Sequence, residues 1–317
     1  MSTLDLVDAE LREALLQRPR LKLSDEALPK SRAFIHKAAA AMAKPDLPGL
    51  GVSEMHVDSM FGAPPIRIIM YKPLSAPHPL PAFVHVHGGG FVMGAPEMRD
   101  VENRFLASKL NCVIVSVDYR LAPEAPFPAA LHDVYAVLVW LNANARTHNV
   151  DPARIGIKGE SGGGGIAAGV AIYARDKNGP ALAFQHLIYP MIDDRTAVRT
   201  DLNPYVGEFV WTQEHNLFGW RALLGQEPGS GNVSPYAAAS RADDVSKLPP
   251  TYIAVGALDL FVEENVQYAH RLSCAGVPVE LHVYPGAYHG FQAAAQARVS
   301  KQADRDSYES LLRSLHG

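Results

Sequence analysis

Residues 154–164 have the sequence RIGIKGESGGG, a strand-like segment that continues into a series of glycines and then into a helix rich in Gly and Ala. Within this stretch, residues 159–163 fit the pattern G-x-S-x-G. A strand–turn–helix with this pattern holds the serine in a strained turn with its hydroxyl exposed, and the flanking glycines relieve steric clashes. The pattern predicts that Ser161 is a nucleophile and that the backbone N–H of Gly162 faces a negatively charged oxygen.

Strand-like and helical patterns alternate on both sides of this motif. The strand-like runs lie at residues 112–118, 154–159, 182–189, 251–256 and 279–284, and the helical patterns lie near 97–110, 128–146, 164–177 and 262–275. Strands and helices that alternate in this way form parallel βαβ units with right-handed crossovers and helices on both faces of the sheet. We therefore predict an α/β fold with a mostly parallel central sheet flanked by helices.

Two segments stand outside this alternation. A helical pattern covers about residues 4–42, and we expect Pro19, Pro29 and Pro45 to break this region into short helices. Residues 191–245 are rich in Asp, Asn, Pro and aromatic side chains and interrupt the later units. Long excursions of this kind are usually lids or binding elements, and a surface loop with no part in binding is the alternative.

The composition is typical of a globular protein. The 317 residues are 48% hydrophobic, and 29 basic residues nearly balance 33 acidic ones, for a formal net charge of −4. Disorder requires lower hydrophobicity and a larger net charge, and a general nucleic-acid binder requires a cationic surface. The composition therefore argues against both of those classes, and the length allows one large α/β domain or two smaller ones, of which we predict a single domain over residues 1–317.

The cysteines and the N-terminal sequence bear on the cellular compartment. Cys112 and Cys274 cannot form a disulfide framework or a four-thiolate zinc site, and Cys112 lies in an apolar run typical of a buried thiol. The N-terminal sequence lacks the basic and apolar regions of a secretory signal. No stretch approaches the roughly 18 apolar residues of a membrane span. We therefore expect a cytoplasmic protein that does not span a membrane.

A second glycine-rich segment, His87-Gly88-Gly89-Gly90, directly follows a strand-like run. Three glycines at this place would destabilise the strand unless the backbone adopts unusual angles or approaches a ligand closely. The N–H groups of Gly88 and Gly89 are therefore predicted to complete an oxyanion hole with that of Gly162. His87 is predicted to orient this loop by hydrogen bonding.

Two alternative interpretations of these glycines and histidines are less favoured. Residues 162–167 also fit the dinucleotide-binding fingerprint G-x-G-x-x-A, but no acidic residue stands at the end of the next strand to hold a ribose. His85 and His87 fall on one strand face and form an H-x-H pair, but further metal ligands are not evident. We therefore favour a core position for His85 and expect neither a metal nor an organic cofactor.

A serine nucleophile needs a base, and the base needs an acid that fixes its tautomer. In doubly wound hydrolases the chain order is Ser, then Asp or Glu, then His. Asp259 and His289 lie in loops after the last two strand-like runs, so the fold brings them to the same edge of the sheet. Asp193 and Asp194 lie one connection too early, and a helix N-cap is the alternative role for Asp259.

Together these motifs resemble those of the bacterial hormone-sensitive-lipase-like carboxylesterases of the α/β-hydrolase superfamily. The sequence HGGG at residues 87–90 resembles the oxyanion signature of that family, and DYRLAPE at residues 118–124 is similar to another of its segments. The neighbourhoods of Asp259 and His289 match as well. The resemblance extends over most of the chain.

The nucleophile motif departs from the family's commonest form, G-D-S-A-G-G. Glu160 replaces the aspartate, and Gly162 replaces the alanine but still offers its N–H. Glu160 and His87 are predicted to position the reacting groups without contacting the substrate themselves. The glutamate at position 160 is expected to affect which substrate is preferred. We expect the segment from Arg120 to Glu124 to organise the structure through an ion pair.

The resemblance implies a serine carboxylesterase that acts on short-chain acyl or small aryl and alkyl esters without a cofactor. It also implies a helical cap built from about residues 1–48 and 191–245, and it allows a homodimer through the last strand and the C-terminal helix. The predicted substrate pocket comprises Phe91, Tyr189, Tyr205 and Trp211. An amidase, a lactonase or a carbamate hydrolase would use the same catalytic residues, and a non-catalytic receptor on this fold is a remoter alternative.

Overall fold

An eight-stranded sheet runs through the centre of the molecule, as described by a computed structural model of residues 2–18 and 21–317. The strands are β1 (Leu50–Val57), β2 (Ile66–Pro73), β3 (Leu80–Val86), β4 (Val113–Asp118), β5 (Val150–Glu160), β6 (Gln185–Ile188), β7 (Thr251–Gly256) and β8 (Val279–Tyr284). The helices are α1 (Ala9–Gln17), α2 (Leu28–Ala41), α3 (Asp100–Lys109), α4 (Ala129–Ala143), α5 (Gly162–Asp176), α6 (Gln213–Leu224), α7 (Val262–Cys274) and α8 (Arg298–His316).

The strand order is β1-β2-β4-β3-β5-β6-β7-β8. Strands β1, β2 and β4 pair antiparallel, and every other neighbouring pair is parallel. The prediction of a mostly parallel sheet flanked by helices is therefore confirmed. Because the carboxyl ends of parallel strands meet at one edge, the loops after β3, β5, β7 and β8 open onto the same side of the molecule.

The two faces of the sheet are covered by different helices, as the alternation of side chains along a strand requires. On one face, buried residues such as Val84 and Ile157 pack in the same core cluster as residues of α4 and α5. On the other, Phe83 and Ile114 pack with Leu311 of α8. Strands β3 and β7 are buried along their whole length, which is why their sequences are nearly continuous apolar runs.

Some element boundaries differ from the predicted ones. Pro29 does not break a helix, because it stands in the first turn of α2, where a missing N–H removes no intrahelical hydrogen bond. Pro45 follows the end of α2, and Pro19 lies outside the described residues. Strand β5 begins earlier than predicted, whereas β6 begins at Gln185 and ends at Ile188, since Tyr189 leaves the strand with a φ of 37°.

The two segments predicted to form a cap contact one another. The hydroxyl of Thr3 donates to Glu208 across 2.6 Å, and Nε2 of His215 donates to the carbonyl of Leu21 across 3.2 Å. Helices α1 and α2 lie in the first segment and α6 in the second. Their role as a cap over the site stays a prediction. Among the described residues, no helix combines the length and the apolar character needed to cross a membrane.

Candidate active site

The turn between β5 and α5 holds Ser161 in a conformation that side chains rarely adopt. Its φ is 55° and its ψ is −123°, and α5 begins at the next residue. Glycine surrounds the turn because the backbone is crowded there: a Cβ at Gly159 would overlap the carbonyl of Gly163, and one at Gly163 would overlap the carbonyl of Val86. The hydroxyl of Ser161 is therefore presented at the carboxyl edge of the sheet by a turn that only this spacing of glycines permits.

Three side chains from three different loops form one hydrogen-bonded series. The hydroxyl oxygen of Ser161 lies 2.9 Å from Nε2 of His289, and Nδ1 of the same ring lies 2.8 Å from Oδ2 of Asp259. All three residues are buried, and Asp259 is completely so. The structure thus brings together the three residues predicted as nucleophile, base and orienting acid.

The rival acids lie elsewhere. Asp193 accepts hydrogen bonds from the backbone and the guanidinium of Arg195, and Asp194 pairs with Arg241 at 2.5 Å. The second oxygen of Asp259 accepts the N–H of Phe261 at 3.0 Å, just before α7. Asp259 does not cap α7, whose N-cap is Phe261 without a side-chain hydrogen bond; its carboxylate instead holds both the loop and the imidazole.

The glycine loop after β3 packs directly on the nucleophile turn. A Cβ at Gly88 would lie 3.0 Å from the carbonyl oxygen of Glu160 and 3.4 Å from the Cβ of Ser161. A Cβ at Gly162 would lie only 2.8 Å from the backbone nitrogen of Phe91. Gly89 has a φ of 134°, a conformation that favours glycine. The predicted oxyanion donors therefore lie beside the serine, in a space with no room for side chains.

His87 braces this loop. Its Nδ1 donates to the carbonyl of Gly88 across 2.9 Å, and its ring stacks on that of Tyr119 with 4.3 Å between centroids. The hydroxyl of Tyr119 donates to the backbone carbonyl of His87 across 2.8 Å. Burial lowers the pKa of His87 to about 4, so the ring is neutral at neutral pH. The structure places His87 where the sequence predicted a loop-orienting residue.

His85 is fully buried within β3. Its Nδ1 lies 3.0 Å from the hydroxyl of Ser116, and its Nε2 lies 3.0 Å from a carboxylate oxygen of Glu160. Across the described part of the chain, no three His, Cys, Asp or Glu side chains are grouped as ligands for a metal ion. Both nitrogens of His85 thus have partners within the protein.

Aromatic rings surround His289. The ring of Tyr189 meets it at 4.6 Å between centroids and that of Phe261 at 5.2 Å, both edge to face, and Trp211 lies at 6.3 Å. Trp211 also covers the glycine loop, since a Cβ at Gly90 would overlap its ring. Tyr189 and Trp211 are thus beside the triad, as the pocket prediction requires, and the contact of Phe261 was not predicted.

The other two predicted pocket residues lie differently. Phe91 is fully buried, 5.0 Å from Trp220 between ring centroids, and lines a small apolar cavity with Leu131, Ile166 and Leu223. Tyr205 is 57% exposed at the surface, and its place in the pocket stays a prediction.

Two salt bridges anchor the segment at residues 120–124. Arg120 pairs with Asp133 of α4 at 2.7 Å, and Glu124 pairs with Arg32 of α2 at 2.7 Å. Arg32 also donates to the carbonyl of Val92, just after the glycine loop. The expected ion pairing therefore joins this segment to α4 through Arg120 and to the N-terminal helix α2 through Glu124.

A buried charge cluster beside the nucleophile was not predicted. The carboxylate of Glu160 contacts the ammonium group of Lys158, which in turn lies 3.1 Å from Oε1 of Glu102. Lys158 and Glu160 are both almost completely buried. The signal was present in the sequence, because two charged residues at alternate positions, Lys158 and Glu160, follow the apolar residues 155–157 at the end of β5.

A known protein family has a sequence pattern that matches the part of the chain that carries this site. The family model described as "alpha/beta hydrolase fold" matches residues 83–293, which include the glycine loop, the serine turn and the loops that carry Asp259 and His289. The chain belongs to this α/β hydrolase family. The predicted fold class and the family resemblance are thereby confirmed.

Individual relatives of this α/β hydrolase are esterases. Esterase LipI of Mycobacterium tuberculosis is 33% identical over 287 residues, which cover 86% of this chain and 85% of LipI. Carboxylesterase NlhH of the same organism is 33% identical over 271 residues, covering 85% of each protein. These names confirm the prediction that the enzyme is a carboxylic ester hydrolase.

Solved structures give the same result. A bacterial heroin esterase superposes with a TM-score of 0.93 at 35% identity and covers 100% of both chains. Esterase LipW from Mycobacterium marinum superposes with a TM-score of 0.85 at 32% identity, over 99% of this chain and 98% of its own. The likeness therefore extends over the whole hydrolase chain, including the two segments predicted as a cap.

Proposed function

We propose that this α/β hydrolase is a serine carboxylesterase that works through an acyl-enzyme intermediate. One observation carries the proposal: the hydroxyl of Ser161, the imidazole of His289 and the carboxylate of Asp259 form a continuous series with contacts of 2.9 and 2.8 Å. A serine hydroxyl alone is a weak nucleophile, and this arrangement supplies the base and the tautomer that activate it.

In the first half of the reaction, the Ser161 oxygen attacks the carbonyl carbon of the ester. Nε2 of His289 accepts the hydroxyl proton, while Asp259 accepts the hydrogen bond from Nδ1 and stabilises the imidazolium that forms. The N–H groups of Gly88, Gly89 and Gly162 stabilise the negative oxygen of the tetrahedral intermediate. The intermediate collapses as the imidazolium gives its proton to the departing alcohol, which leaves the acyl group on Ser161.

The second half repeats these steps with water. His289 removes a proton from a water molecule, and the resulting oxygen attacks the acyl carbonyl carbon. The same backbone donors stabilise the second tetrahedral intermediate, and its collapse returns the proton from the imidazolium to the Ser161 oxygen. The carboxylic acid departs, and the enzyme is regenerated without a metal or an organic cofactor taking part in these steps.

The proposed substrates are esters with short acyl chains and aryl or alkyl alcohols. Bulky rings crowd the reacting histidine, with Tyr189 and Trp211 within 6.3 Å of it between ring centroids. These rings offer apolar surface to an aromatic leaving group. One similar structure is named a bacterial heroin esterase, and another relative is named an arylesterase.

A substrate panel tests this proposal. We expect hydrolysis of p-nitrophenyl acetate and butyrate that persists in EDTA and is lost in Ser161→Ala, with slower turnover of the laurate. The matched amide, lactone and carbamate are expected to react more slowly than the acetate ester. Activity that requires a metal, survives without Ser161 or prefers the amide, the lactone or the carbamate would contradict the proposal.

We further propose that the enzyme is a cytoplasmic homodimer that pairs through β8. This strand lies at one edge of the sheet, and its side chains Leu281 and Val283 are exposed. An exposed apolar edge strand is a template for pairing with another copy. Light scattering is expected to give the mass of a dimer for the native chain and of a monomer for Val283→Lys. A monomeric native chain would contradict this part of the proposal.

A further inference from the structure

A series of charged side chains leads from the surface to the residue that precedes the nucleophile. Lys158 and Glu160 alternate along β5 and point to the side of the sheet covered by α3. Lys158 contacts Glu160 and Glu102, and Arg99 pairs with Glu102 at 3.0 Å. Two cations and two anions therefore balance one another, and the inner end of the series adjoins Ser161.

This series ends on His85 of β3. Nε2 of His85 lies 3.0 and 3.2 Å from the two carboxylate oxygens of Glu160. His85 comes three residues before Gly88, the first predicted oxyanion donor, and Glu160 comes one residue before Ser161. A single contact therefore joins the strand that leads to the donors and the strand that leads to the nucleophile.

Stability alone does not account for buried charges at this place. Removing two ions from water carries a large free-energy cost, and a buried ion pair is often no more stabilising than apolar residues of similar volume. The neighbouring positions Ile157 and Leu187 show that the sheet accepts fully buried apolar side chains here. We therefore infer that the buried charges of Lys158 and Glu160 have a role in the site that apolar side chains could not perform.

The carboxylate of Glu160 remains ionised at this buried position. Burial raises its pKa, but the charge of Lys158, the hydrogen bond from His85 and the charge of Arg99 outweigh that effect and hold the pKa well below its ordinary value of 4.5. An unpaired anion beside a developing oxyanion would oppose its formation. Lys158 removes that difficulty because its ammonium group contacts the same carboxylate.

We propose that Glu160 and His85 are positioning residues, whose contact sets the separation between Ser161 and the oxyanion donors of Gly88 and Gly89. The close packing of Gly88 on the carbonyl of Glu160, with 3.0 Å to an added Cβ, transmits a shift of one strand to the other. This inference rests on the proposed serine mechanism, since it concerns the geometry of the tetrahedral intermediate.

The test compares His85→Leu, which loses the contact, with His85→Gln, whose amide can still donate to the carboxylate of Glu160. The matched control is His186→Leu on β6: His186 is also fully buried, pairs in register with Lys158, and is hydrogen-bonded to Ser307 instead of to Glu160. The readouts are kcat and KM for p-nitrophenyl acetate and the Ki of a trifluoromethyl ketone, which forms a tetrahedral adduct on the serine.

We expect His85→Leu to lower kcat by about tenfold to a hundredfold and to raise the Ki of the trifluoromethyl ketone by a similar factor. KM is expected to stay unchanged, because misplaced reacting groups slow the reaction without weakening ground-state binding of the substrate. His85→Gln is expected to retain most of the native kcat and most of the native affinity for the ketone, and His186→Leu is expected to lower only thermal stability. In a Glu160→Ala background, His85→Leu is expected to have little further effect, because the contact is already lost.

Several results would overturn the inference. These are an unchanged ketone Ki in His85→Leu, an equal loss in His186→Leu, or a full additional effect of His85→Leu in the Glu160→Ala background. A failure of the serine mechanism itself looks different: the native enzyme would then be inactive on esters, or Ser161→Ala would remain active.

Discussion

Asp259 divides its carboxylate between the base and the protein backbone: Oδ2 lies 2.8 Å from Nδ1 of His289, and Oδ1 accepts the N–H of Phe261 at 3.0 Å. The carboxylate is completely buried, and the short loop after β7 holds it in place. Because a carboxylate can only accept hydrogen bonds, it requires the proton of His289 to reside on Nδ1 and leaves Nε2 free to accept from Ser161.

The first prediction concerns this tautomer. In Asp259→Asn, the side-chain amide can donate to Nδ1 of His289, which places the ring proton on Nε2. Nε2 can then no longer accept the hydroxyl proton of Ser161. We expect kcat to fall by about 10⁴-fold while the fold and KM are preserved. Steady-state kinetics on p-nitrophenyl acetate, with circular dichroism as the control for folding, measures this. A loss of less than tenfold would contradict the assigned role of Asp259.

The second prediction concerns Gly162, a position at which the hormone-sensitive-lipase-like carboxylesterases most often have alanine. An added Cβ would lie 2.8 Å from the nitrogen of Phe91 and 3.0 Å from that of Gly90, closer than neighbouring atoms tolerate. We therefore expect Gly162→Ala to displace the oxyanion loop and to lower kcat/KM by about tenfold to a hundredfold. Gly231→Ala is the control, because open space surrounds that position. A fully active Gly162→Ala would show that the loop adjusts without loss.

The third prediction concerns the pH dependence of stability. Glu264 of α7 is buried and accepts the N–H groups of Ile192 and Asp193 and the hydroxyl of Thr196. Burial, aided by the charge of Asp193, raises the pKa of Glu264 well above its ordinary value of 4.5. The folded protein therefore holds this proton more tightly than the unfolded chain, and stability falls as the pH rises from 4.5 toward the folded pKa.

We accordingly expect Glu264→Gln to unfold at a higher temperature than the native chain at pH 8, with the gain shrinking toward pH 4.5. The glutamine oxygen can still accept both backbone N–H groups, and its NH₂ can donate to Thr196. Thermal unfolding at several pH values measures this difference. Glu263→Gln is the control, since its carboxylate is partly exposed and pairs with Arg199 at 2.8 Å. A difference between Glu264→Gln and the native chain that does not vary with pH would contradict the raised pKa.

Much of the site could be predicted because its requirements are local in the sequence. The turn at Ser161 needs glycines at 159 and 163, since any side chain there would collide with the backbone, and this demand is visible as a spaced pattern. Asp259 and His289 were recognisable for a similar reason, because each follows a strand-like run by a short loop. The topology of a parallel sheet then brings such loops to one edge.

What could not be predicted depends on contacts between distant segments. The pairing of His85 with Glu160 requires β3 and β5 to be neighbours in the correct register. The order of the strands in the sheet cannot be inferred from the sequence of either strand alone. The edge-to-face contact of Phe261 with His289 depends on how α7 begins after its loop. Pro29 was misread because a proline at the start of a helix and one that breaks a helix look alike until the N-terminus is located.

The central claim is that Ser161 carries the acyl group between the two halves of the reaction. Its most direct test is rapid mixing with p-nitrophenyl acetate, acid quenching during turnover and mass spectrometry of the peptides. The account predicts a burst of p-nitrophenol close to one equivalent per active site and an added acetyl group on the peptide that contains Ser161. Turnover with no burst and no acetylated peptide, or acetylation of a different residue during turnover, would contradict it.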